Sequence, residues 1–526
     1  MNTTSIKHIV ILGGGMTGWT VAAGLAKGLQ GINVAITLVD SLQPASADLQ
    51  CEATTPACVA FHKFLGLSEQ DLIAHTGSSF LLATQFCDWS DNQQNYFMPF
   101  SDHGFTLNRI EFPQYAISRY LSGNPLNFDD FSLASAAAKA GRFCHPSAQD
   151  SSLFSTLSYG FNLNIAAYAD YLRSFALHAG VEQVRADVRS LKLNENGFIE
   201  SVLLADAALT DVAHKSKAKS DLADGVINGD LFIDCSGVQA NIIEKALNVE
   251  WLSAEQHLPV THVLSHVVEA DYAHVVPAHR TMKTVASGWL QKNSTQTHTE
   301  QQVFFHRAFA NSAQACADLG IDSTDATVKP LQIGRRALFW NKNCVAIGDS
   351  AGNIGVQGAG KLHLIQSAVL RLISLFPQRI DAVFNPAEYN RLTHVEYDHI
   401  EDFHVLHYQL ANTQRSVYWQ QVARMQLPDR LLHKLELFKK RGLIAFYEGE
   451  TFSAGVWTSL LLGNGFWPKN YDQLVRTMDS DWIEQQLGKM KNMIHSAAES
   501  MPLQADYLRT NKYSFFQSAR TAAIAN

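Results

Sequence analysis

Residues 6–40 read IKHIVILGGGMTGWTVAAGLAKGLQGINVAITLVD, and this stretch decides the fold class. The β-branched run at 6–12 predicts a strand, the glycines at 13–18 interrupt it, and residues 19–29 have the apolar spacing of a helix. Residues 34–39 predict a second buried strand that ends at Asp40. A strand, a helix and a strand in this order form a βαβ unit, so we expect an α/β fold built on a parallel sheet.

The glycines between the first strand and the helix follow the pattern Gly13-x-Gly15-x-x-Gly18. In this context the first glycine makes a tight turn, the second admits a pyrophosphate, and the third lets helix and strand pack closely. The helix N-terminus then faces the phosphates, and an acid at the end of the next strand accepts ribose hydroxyls. The alternative is a turn that merely requires glycine. The residues predicted to bind a dinucleotide are Gly13, Gly14, Gly15, Met16, Thr17, Gly18 and Asp40.

Composition limits the class of protein. The 526 residues are 46% hydrophobic and 17% charged, with 41 Lys and Arg against 49 Asp and Glu. This excludes a disordered chain and a basic nucleic-acid binder. The seven cysteines are scattered, no apolar run is long enough to span a membrane, and from the first residues we expect no signal peptide. We therefore expect a cytoplasmic globular protein that binds neither nucleic acid nor a membrane and can enclose a sizeable ligand.

Two later segments return the chain to the first sheet. Residues 230–237 read DLFIDCSG, and residues 344–352 read CVAIGDSAG, a strand that runs into Asp349 before a helix at 362–376. Both resemble segments of hydroxylase-type flavoproteins, in which such an aspartate binds the ribityl chain. The resemblance implies FAD as the cofactor and a Rossmann-like flavoprotein fold. We expect residues 1–380 to form an interleaved FAD-binding module with an inserted mixed sheet, and residues 381–526 a helical substrate-binding region.

Further motifs resemble those of the flavin-dependent tryptophan halogenases over nearly the full length of the chain. They include GGGMTGWTVAAGLA at 13–26, EATTP at 52–56 and WNKNCVAIG at 340–348. The second half adds His407-Tyr408, Tyr418-Trp419 and Gly463-x-Gly465-x-x-Pro468. The chain is therefore identified as a divergent member of that family.

The resemblance implies an oxidoreductase that receives reduced FAD from a separate flavin reductase. Such an enzyme uses O₂ and halide to modify an indole or another aromatic substrate. The family's pattern also assigns roles to residues of this sequence. FAD contacts are implied for Ala53, Thr54, Val188, Asp349 and Leu362, halide contacts for Gly360 and Lys361, and substrate contacts for Tyr447 and Trp457.

This sequence departs from the family at its reactive positions. The family lysine aligns with Leu81, and the glutamate of the family's Pro-Leu-Glu loop aligns with Gly358. Only the first tryptophan of the family's Trp-x-Trp-x-Ile-Pro signature, which guards against monooxygenation, is present, as Trp289. The catalytic residues therefore stay unassigned. Three interpretations remain open: a halogenase, a flavin monooxygenase without halogenation, and a non-catalytic flavin- or ligand-binding relative.

Lys361 stands where the family has glycine, and two interpretations of it compete. It either brings the missing ammonium to the flavin edge, where it also stabilises an anionic reduced flavin, or it is a solvated or phosphate-facing lysine at a helix N-terminus.

Two pairs on one predicted helix, Glu396-x-x-His399 and Glu401-x-x-His404, have the spacing of di-iron ligands. Such a site draws its ligands from separate helices, and these two pairs point in different directions along a single one. We therefore expect no bound metal.

Overall fold

The computed structural model describes residues 5–42, 50–90, 95–149, 152–205, 225–269, 275–322, 325–355, 357–358, 360–379, 384–411 and 416–513. Its central sheet has six strands, and all but one edge strand run parallel to their neighbours. In spatial order, and numbered along the chain, they are β20 (Trp340–Asn341), β21 (Cys344–Ala346), β12 (Leu231–Asp234), β1 (His8–Leu12), β2 (Ala35–Asp40) and β8 (Glu182–Arg185).

A second sheet in the described ranges has seven strands. Its spatial order is β18 (Thr327–Pro330), β14 (His262–Glu269), β17 (His298–Phe305), β16 (Gly288–Ser294), β15 (His279–Thr284), β5 (Ala83–Cys87) and β6 (Tyr96–Pro99). The other strands of the described ranges form three sheets of three strands each. The first contains β3 (Cys51–Ala53), β7 (Gly160–Asn164) and β4 (Ser79–Leu81), and the second contains β11 (Val226–Asn228), β10 (Ile199–Leu204) and β9 (Val188–Leu193). The third contains β13 (Trp251–Ser253), β19 (Gly334–Arg336) and β22 (Gly352–Asn353).

The α-helices of the described ranges are numbered in chain order. Those before residue 380 are α1 (Gly15–Gly28), α2 (Ala57–Leu65), α3 (Glu69–Thr76), α4 (Phe112–Leu121), α5 (Leu133–Lys139), α6 (Ile165–His178), α7 (Ser312–Leu319) and α8 (Lys361–Ser374). Those that follow are α9 (Phe384–Gln409), α10 (Val417–Val422), α11 (Asp429–Arg441), α12 (Ala454–Gly463), α13 (Ser480–Ser500) and α14 (Gln504–Thr510).

The predicted βαβ unit is confirmed. Strand β1 pairs in parallel with β2 and, on its other side, with β12, so that Ile9 lies between Ile36 and Leu231. Strand β12 in turn pairs in parallel with β21. Because the carboxyl ends of parallel strands meet at one edge, the loops after β1, β12 and β21 lie together, which is where α/β sheets bind ligands.

Helix α1 begins at Gly15 rather than at the predicted Trp19, because the glycine turn runs directly into the helix. Its close packing depends on glycine: a side chain at Gly24 would overlap Val369, and one at Gly28 would overlap Ile373. Both partners lie on α8, so the two helices that open at the ligand-binding edge are packed against each other.

One strand prediction was wrong. The apolar pattern of residues 184–191 predicts a single strand, but the chain forms β8 and β9, which belong to different sheets. The break follows from backbone pairing: Ala186 N–H donates to Asp40 O, whereas Asp187 O accepts from Ala205 N–H. A pattern of buried residues within one stretch does not show that its two halves pair with different partners.

Helix α9 joins the second half of the chain to the central sheet. The Asn390 side-chain oxygen accepts the N–H groups of Phe339 and Trp340, each at 2.8 Å, and its amide donates to Trp340 O. The predicted division of the chain near residue 380 stays a prediction. Among the helices of the described ranges, none combines the length and hydropathy that a membrane crossing requires.

Asp234 ends β12, and substituting it tests how much this edge of the sheet contributes to the stability of the protein. It is fully buried, and its carboxylate accepts the N–H groups of Ser236, Ile242 and Ile243 at 2.8–3.0 Å. Asp234→Asn presents an amide to these donors, so we expect the apparent free energy of unfolding, measured by urea denaturation, to fall by roughly 3 kcal/mol.

Asp230→Asn is the matched control. The Asp230 carboxylate also accepts two N–H groups, those of Lys7 and His8, but at a more exposed position. Water can replace its hydrogen bonds, so we expect a loss below about 1 kcal/mol. Equal losses in the two variants would contradict the importance given to Asp234.

Candidate functional site

The glycine turn after β1 leaves a cradle of bare backbone. A side chain at Gly13 would overlap Cys235 O, one at Gly14 would overlap the Asp40 carboxylate, and one at Gly18 would overlap Gly13 O. The N-cap residue Gly14 provides no side-chain cap to α1. Backbone N–H groups at an uncapped helix N-terminus are suited to a phosphate, so the geometry of the turn fits a dinucleotide.

Asp40 lies at the end of β2 beside this turn. Gln183 Nε2 donates to Asp40 Oδ2 at 3.3 Å. Partial burial raises the pKa of Asp40, and the nearby charges of Arg185 and Arg173 oppose the rise. The carboxylate is therefore held in place next to Gly14, as its predicted contact with a ribose requires.

Asp349 lies at the same edge, after β21. Its Oδ2 accepts from Lys361 Nζ at 2.9 Å, and both side chains are less than one-fifth exposed. Its other oxygen, Oδ1, is buried without a hydrogen-bond partner. A buried carboxylate oxygen that lacks a partner is costly, so this atom fits a ligand hydroxyl of the kind that a ribityl chain provides.

Glu52 caps helix α8. The helix begins after Gly360, which has no side chain, and Glu52 Oε1 accepts the N–H of Leu362 at 3.2 Å. A side chain at position 360 would overlap this carboxylate. Burial raises the pKa of Glu52 to about 7, although the Leu362 N–H and the charges of Lys361 and Arg280 favour its ionised form. The carboxyl group therefore lies at the predicted halide-binding loop.

Arg280 is a buried cation beside the same loop. It is 3% exposed on β15, its Nε donates to Thr84 Oγ1 at 2.8 Å, and its Nη2 donates to the carbonyl oxygens of Gln357 and Gly358. Burial lowers the pKa of Arg280 to about 10, and the charge of Glu52 opposes this. The guanidinium thus holds the backbone of the loop where the family glutamate is missing.

The space around Gly358 explains why no glutamate stands there. A side chain at this position would overlap the rings of Phe403 and Phe452. His404 fixes the backbone from the other side: its Nδ1 pairs with Ile354 O at 2.7 Å, and its Nε2 accepts the Gly358 N–H at 3.0 Å. Burial lowers the pKa of His404 to about 4, so the imidazole is neutral.

Leu81, which replaces the family lysine, and Trp289, the signature tryptophan that is kept, are also buried. Leu81 is 1% exposed on β4, opposite Gly160 of β7. Trp289 is 1% exposed, stacks on Phe304 with centroids 4.1 Å apart, and donates to Tyr408 Oη at 3.0 Å. Tyr408 Oη also accepts from Gln357 Nε2 at 2.8 Å, so Trp289 is linked to the loop through one hydroxyl.

Two cavities open at the loop between Asn353 and Lys361. The larger, of about 460 Å³, is lined mainly by apolar groups such as Val263, Trp289 and Phe304. The smaller, of about 250 Å³, reaches Asp349 and Tyr397. Lys361 lines both cavities, and its ammonium donates to Asp349 Oδ2.

The predicted substrate residues lie together but enclose a charge. Lys434 Nζ is 4.3 Å from the ring centroid of Trp457 and 5.0 Å from that of Tyr447. It is paired with Glu450, and Trp457 Nε1 donates to the other oxygen of that carboxylate at 3.2 Å. Neither cavity is lined by Tyr447 or Trp457.

The remaining predicted flavin contacts are distributed around the same edge. Ala53 is buried at the end of β3, Thr54 Oγ1 accepts the Phe161 N–H at 2.9 Å, and Leu362 N–H already donates to Glu52. Val188 opens β9 and is partly exposed. Met16 and Thr17 lie in the first turn of α1. A side chain at Gly348 would overlap Thr17. Their roles stay predictions.

Three of the four residues in the helix-borne Glu and His pairs have partners other than a metal. Glu396 binds Arg371, Glu401 pairs with His257 at 3.1 Å, and His404 supports the loop. Among the described residues, no three His, Cys, Asp or Glu side chains converge on a point that could hold a metal ion.

Arg280 and Lys434 were not predicted, although the sequence carries a signal for each. In β15 the buried residues alternate as Arg280, Met282 and Thr284, so strand periodicity places Arg280 inside. In α11 the buried residues Leu431, Lys434 and Phe438 have helical spacing. A charge on an apolar face is the sign that both share.

The raised pKa of Glu52 predicts how stability depends on pH. Between its ordinary value of 4.5 and about 7 the folded protein keeps a proton that the unfolded chain has released. The free energy of unfolding of the wild type should therefore fall by roughly 3 kcal/mol relative to Glu52→Gln as the pH rises through this window, and the difference should level off above pH 7. Urea denaturation across the pH range measures it.

Glu436→Gln is the control. A hydrogen bond from Lys440 lowers the pKa of this exposed carboxylate, so its contribution is lost only on acidification below the window. The free energy of unfolding of Glu436→Gln, plotted against pH, should run parallel to that of the wild type above pH 5. A Glu52→Gln curve that is also parallel would contradict the buried, protonatable carboxyl group.

Comparison with known proteins agrees with this geometry. A family model described as tryptophan halogenase matches residues 8–480. Tryptophan 6-halogenase SttH of Streptomyces toxytricini is 24% identical over an alignment that covers 96% of this chain and 98% of its own. Tryptophan 7-halogenase RebH of Lentzea aerocolonigenes is 26% identical over 82% of each chain.

Solved structures agree over the same extent. BrvH, a flavin-dependent halogenase from Brevundimonas sp. BAL3, matches with a TM-score of 0.88 and 28% identity, covering 96% of this chain and 99% of its own. Xcc4156, a flavin-dependent halogenase from Xanthomonas campestris, matches with a TM-score of 0.87 and 27% identity over 97% and 99%. The predicted family and the Rossmann-like flavoprotein fold class are thereby confirmed, and the chain belongs to the tryptophan halogenase family.

Proposed function

We propose that the protein is an FAD-dependent enzyme that uses reduced flavin, O₂ and halide to halogenate an indole or another aromatic substrate. The observation that carries this proposal is the convergence of Glu52, Arg280 and Lys361 on the loop before α8, beside an apolar cavity. This loop is the predicted halide site. Two cations and a carboxyl group lie around it, although the positions of the family lysine and glutamate are taken by the uncharged Leu81 and Gly358.

The residues present fit FAD from end to end. The N-terminus of α1 receives the pyrophosphate, Asp40 the ribose, and the orphaned Asp349 Oδ1 a ribityl hydroxyl. The apolar cavity beside Trp289 takes the ring system. Bound in reduced form, FAD supplies the electrons for the reaction with O₂. Since the sequence has no second dinucleotide fingerprint, the reduced flavin comes from a separate reductase.

The chain's own groups then bind and orient the halide. The backbone N–H groups of Gly360 and Lys361 open α8, where the helix dipole favours an anion. Arg280 fixes the preceding carbonyl groups, so the loop keeps its shape when an anion is bound. Glu52, with a pKa of about 7, can hold or release a proton beside this loop near neutral pH.

Monooxygenation is the second candidate, and the buried site near Trp289 favours it. The second tryptophan of the family signature is replaced by Gln291, which is 2% exposed and donates to Gln302 Oε1 at 2.6 Å. The buried polar pair stands where the family has a guarding aromatic ring. An oxygenated product that forms without halide would select this function.

Turnover with reduced FAD, O₂ and bromide, followed by mass spectrometry over a panel of indoles and phenols, tests the proposal. We expect a brominated product that depends on bromide. Leu81→Lys restores an ammonium at the family position, and we expect it to raise the yield of brominated product by about tenfold.

Leu81→Met is the matched control, because it keeps an apolar side chain of similar size at this buried position. It should leave the yield of brominated product near that of the wild type. Tight flavin binding without any brominated product, in the wild type and in Leu81→Lys, would overturn the proposal of halogenation.

The position of Lys361 leads to a separate prediction about the midpoint potential of the bound flavin. Lys361 lines the cavity proposed for the ring, and its ammonium, 2.9 Å from Asp349 Oδ2, stabilises the anionic reduced form more than the neutral oxidised form. Lys361→Gln should lower the midpoint potential of bound FAD by roughly 30 mV, which corresponds to about 1.4 kcal/mol for two electrons. Lys63→Gln, at an exposed position on α2, should leave the potential unchanged. An unchanged potential in Lys361→Gln would contradict this role.

A further inference from the structure

Four side chains form a closed charge cluster in the helical half of the chain. Lys434 of α11 and Glu450 make an ion pair whose side chains are 2% and 0% exposed. The rings of Trp457 and Tyr447 lie on the Lys434 ammonium, and the ammonium also donates to Ala445 O at 2.8 Å. We call Trp457, Tyr447 and Glu450 the amine cage.

The amine cage has the chemistry that recognises an alkylammonium group. Aromatic faces attract a cation through their quadrupole, and a carboxylate and a carbonyl oxygen accept its N–H groups. Here the occupant is the chain's own lysine. The Glu450 carboxylate binds Lys434 through one oxygen and Trp457 Nε1 through the other, so a second cation would have to share this single negative charge with Lys434.

The amine cage also lies close to the halide loop. Phe403 packs edge-to-face on Trp457 with centroids 4.9 Å apart and stacks on Phe452 at 3.9 Å. These two phenylalanines are the rings that a side chain at Gly358 would overlap. The rings of Trp457 and Phe403 therefore lie in series between the Lys434 ammonium and the loop that Arg280 holds.

We propose that Lys434 determines substrate specificity: its ammonium fills the amine cage and excludes aromatic substrates that carry an ammonium group. The inference rests on the proposed function, since it assumes that Tyr447 and Trp457 belong to the substrate region. The substrate class that follows is an aromatic ring system without an alkylammonium side chain. Free amino acids and arylethylamines are rejected because their cation would lie against Lys434 without a partner.

Binding measurements on the full-length chain test this without any turnover. The probes are tryptamine, which carries an ammonium, and 3-ethylindole, which has the same ring and a neutral side chain. Isothermal titration calorimetry should give the wild type at least a tenfold preference for 3-ethylindole. Lys434→Ala empties the amine cage while Glu450 remains, so its affinity for tryptamine should rise by at least tenfold.

Two variants separate the amine cage from general loosening of the fold. Lys434→Ala/Glu450→Gln removes the carboxylate charge as well and should lose the gain for tryptamine. Lys440→Ala removes an exposed lysine of the same helix, paired only with Glu436 in the contacts described, and should behave as the wild type. If Lys434→Ala is too unstable for calorimetry, propylammonium should raise its Tm at constant ionic strength and leave the Tm of the double variant unchanged.

A wild type that binds tryptamine as tightly as 3-ethylindole overturns the inference, and so does a Lys434→Ala protein with no gain for tryptamine or propylammonium over the double variant. These outcomes are independent of halogenation. Loss of all turnover with the expected binding pattern would contradict the proposed function alone, whereas halogenation of tryptamine by the wild type would contradict the specificity alone.

Discussion

The parallel pairing of β1 with β12 and of β12 with β21 is the constraint on which the rest of the structure depends. It brings three distant loops to one edge of one sheet, where two helices begin without a side chain at their N-caps. The buried Asp234 carboxylate fixes the loop between them by accepting N–H groups of Ser236, Ile242 and Ile243. Every group proposed to contact the flavin or the halide lies on or near this edge.

The charges at the site are displaced from the family positions. Leu81 is buried and apolar, and Phe403 and Phe452 fill the space that a longer side chain at Gly358 would need. The loop is instead surrounded by Glu52, Arg280 and Lys361, which come from β3, β15 and α8. A buried carboxyl group costs free energy unless it is paired or protonated. For Glu52 the Leu362 N–H and two cations stabilise the ionised form, and the raised pKa favours the protonated form. The low charge content of the chain thus reflects few but closely paired interior charges.

Local pattern predicted the first βαβ unit, because it depends on periodicity and on glycine positions. The return of the chain to its sheet and the family were expected from the resemblance of several motifs to known flavoproteins. Contacts across long sequence separations were not predictable. Arg280 meets Gln357 only because β15 pairs with β5 beside the loop. Helical spacing places Lys434 on the apolar face of α11, but it does not identify Glu450 and Trp457 as its partners. Tyr447 and Trp457 were predicted to contact the substrate, and that role stays a prediction.

The central claim is that a halide binds at the N-terminus of α8, among charges that differ from those of the family. Crystals of the protein grown with FAD and bromide test it most directly, through an anomalous difference map recorded at the bromine absorption edge. We expect an anomalous peak within hydrogen-bonding distance of the backbone N–H groups of Gly360 and Lys361, beside Glu52. Bromide peaks confined to the surface, with FAD bound and the loop empty, would contradict it.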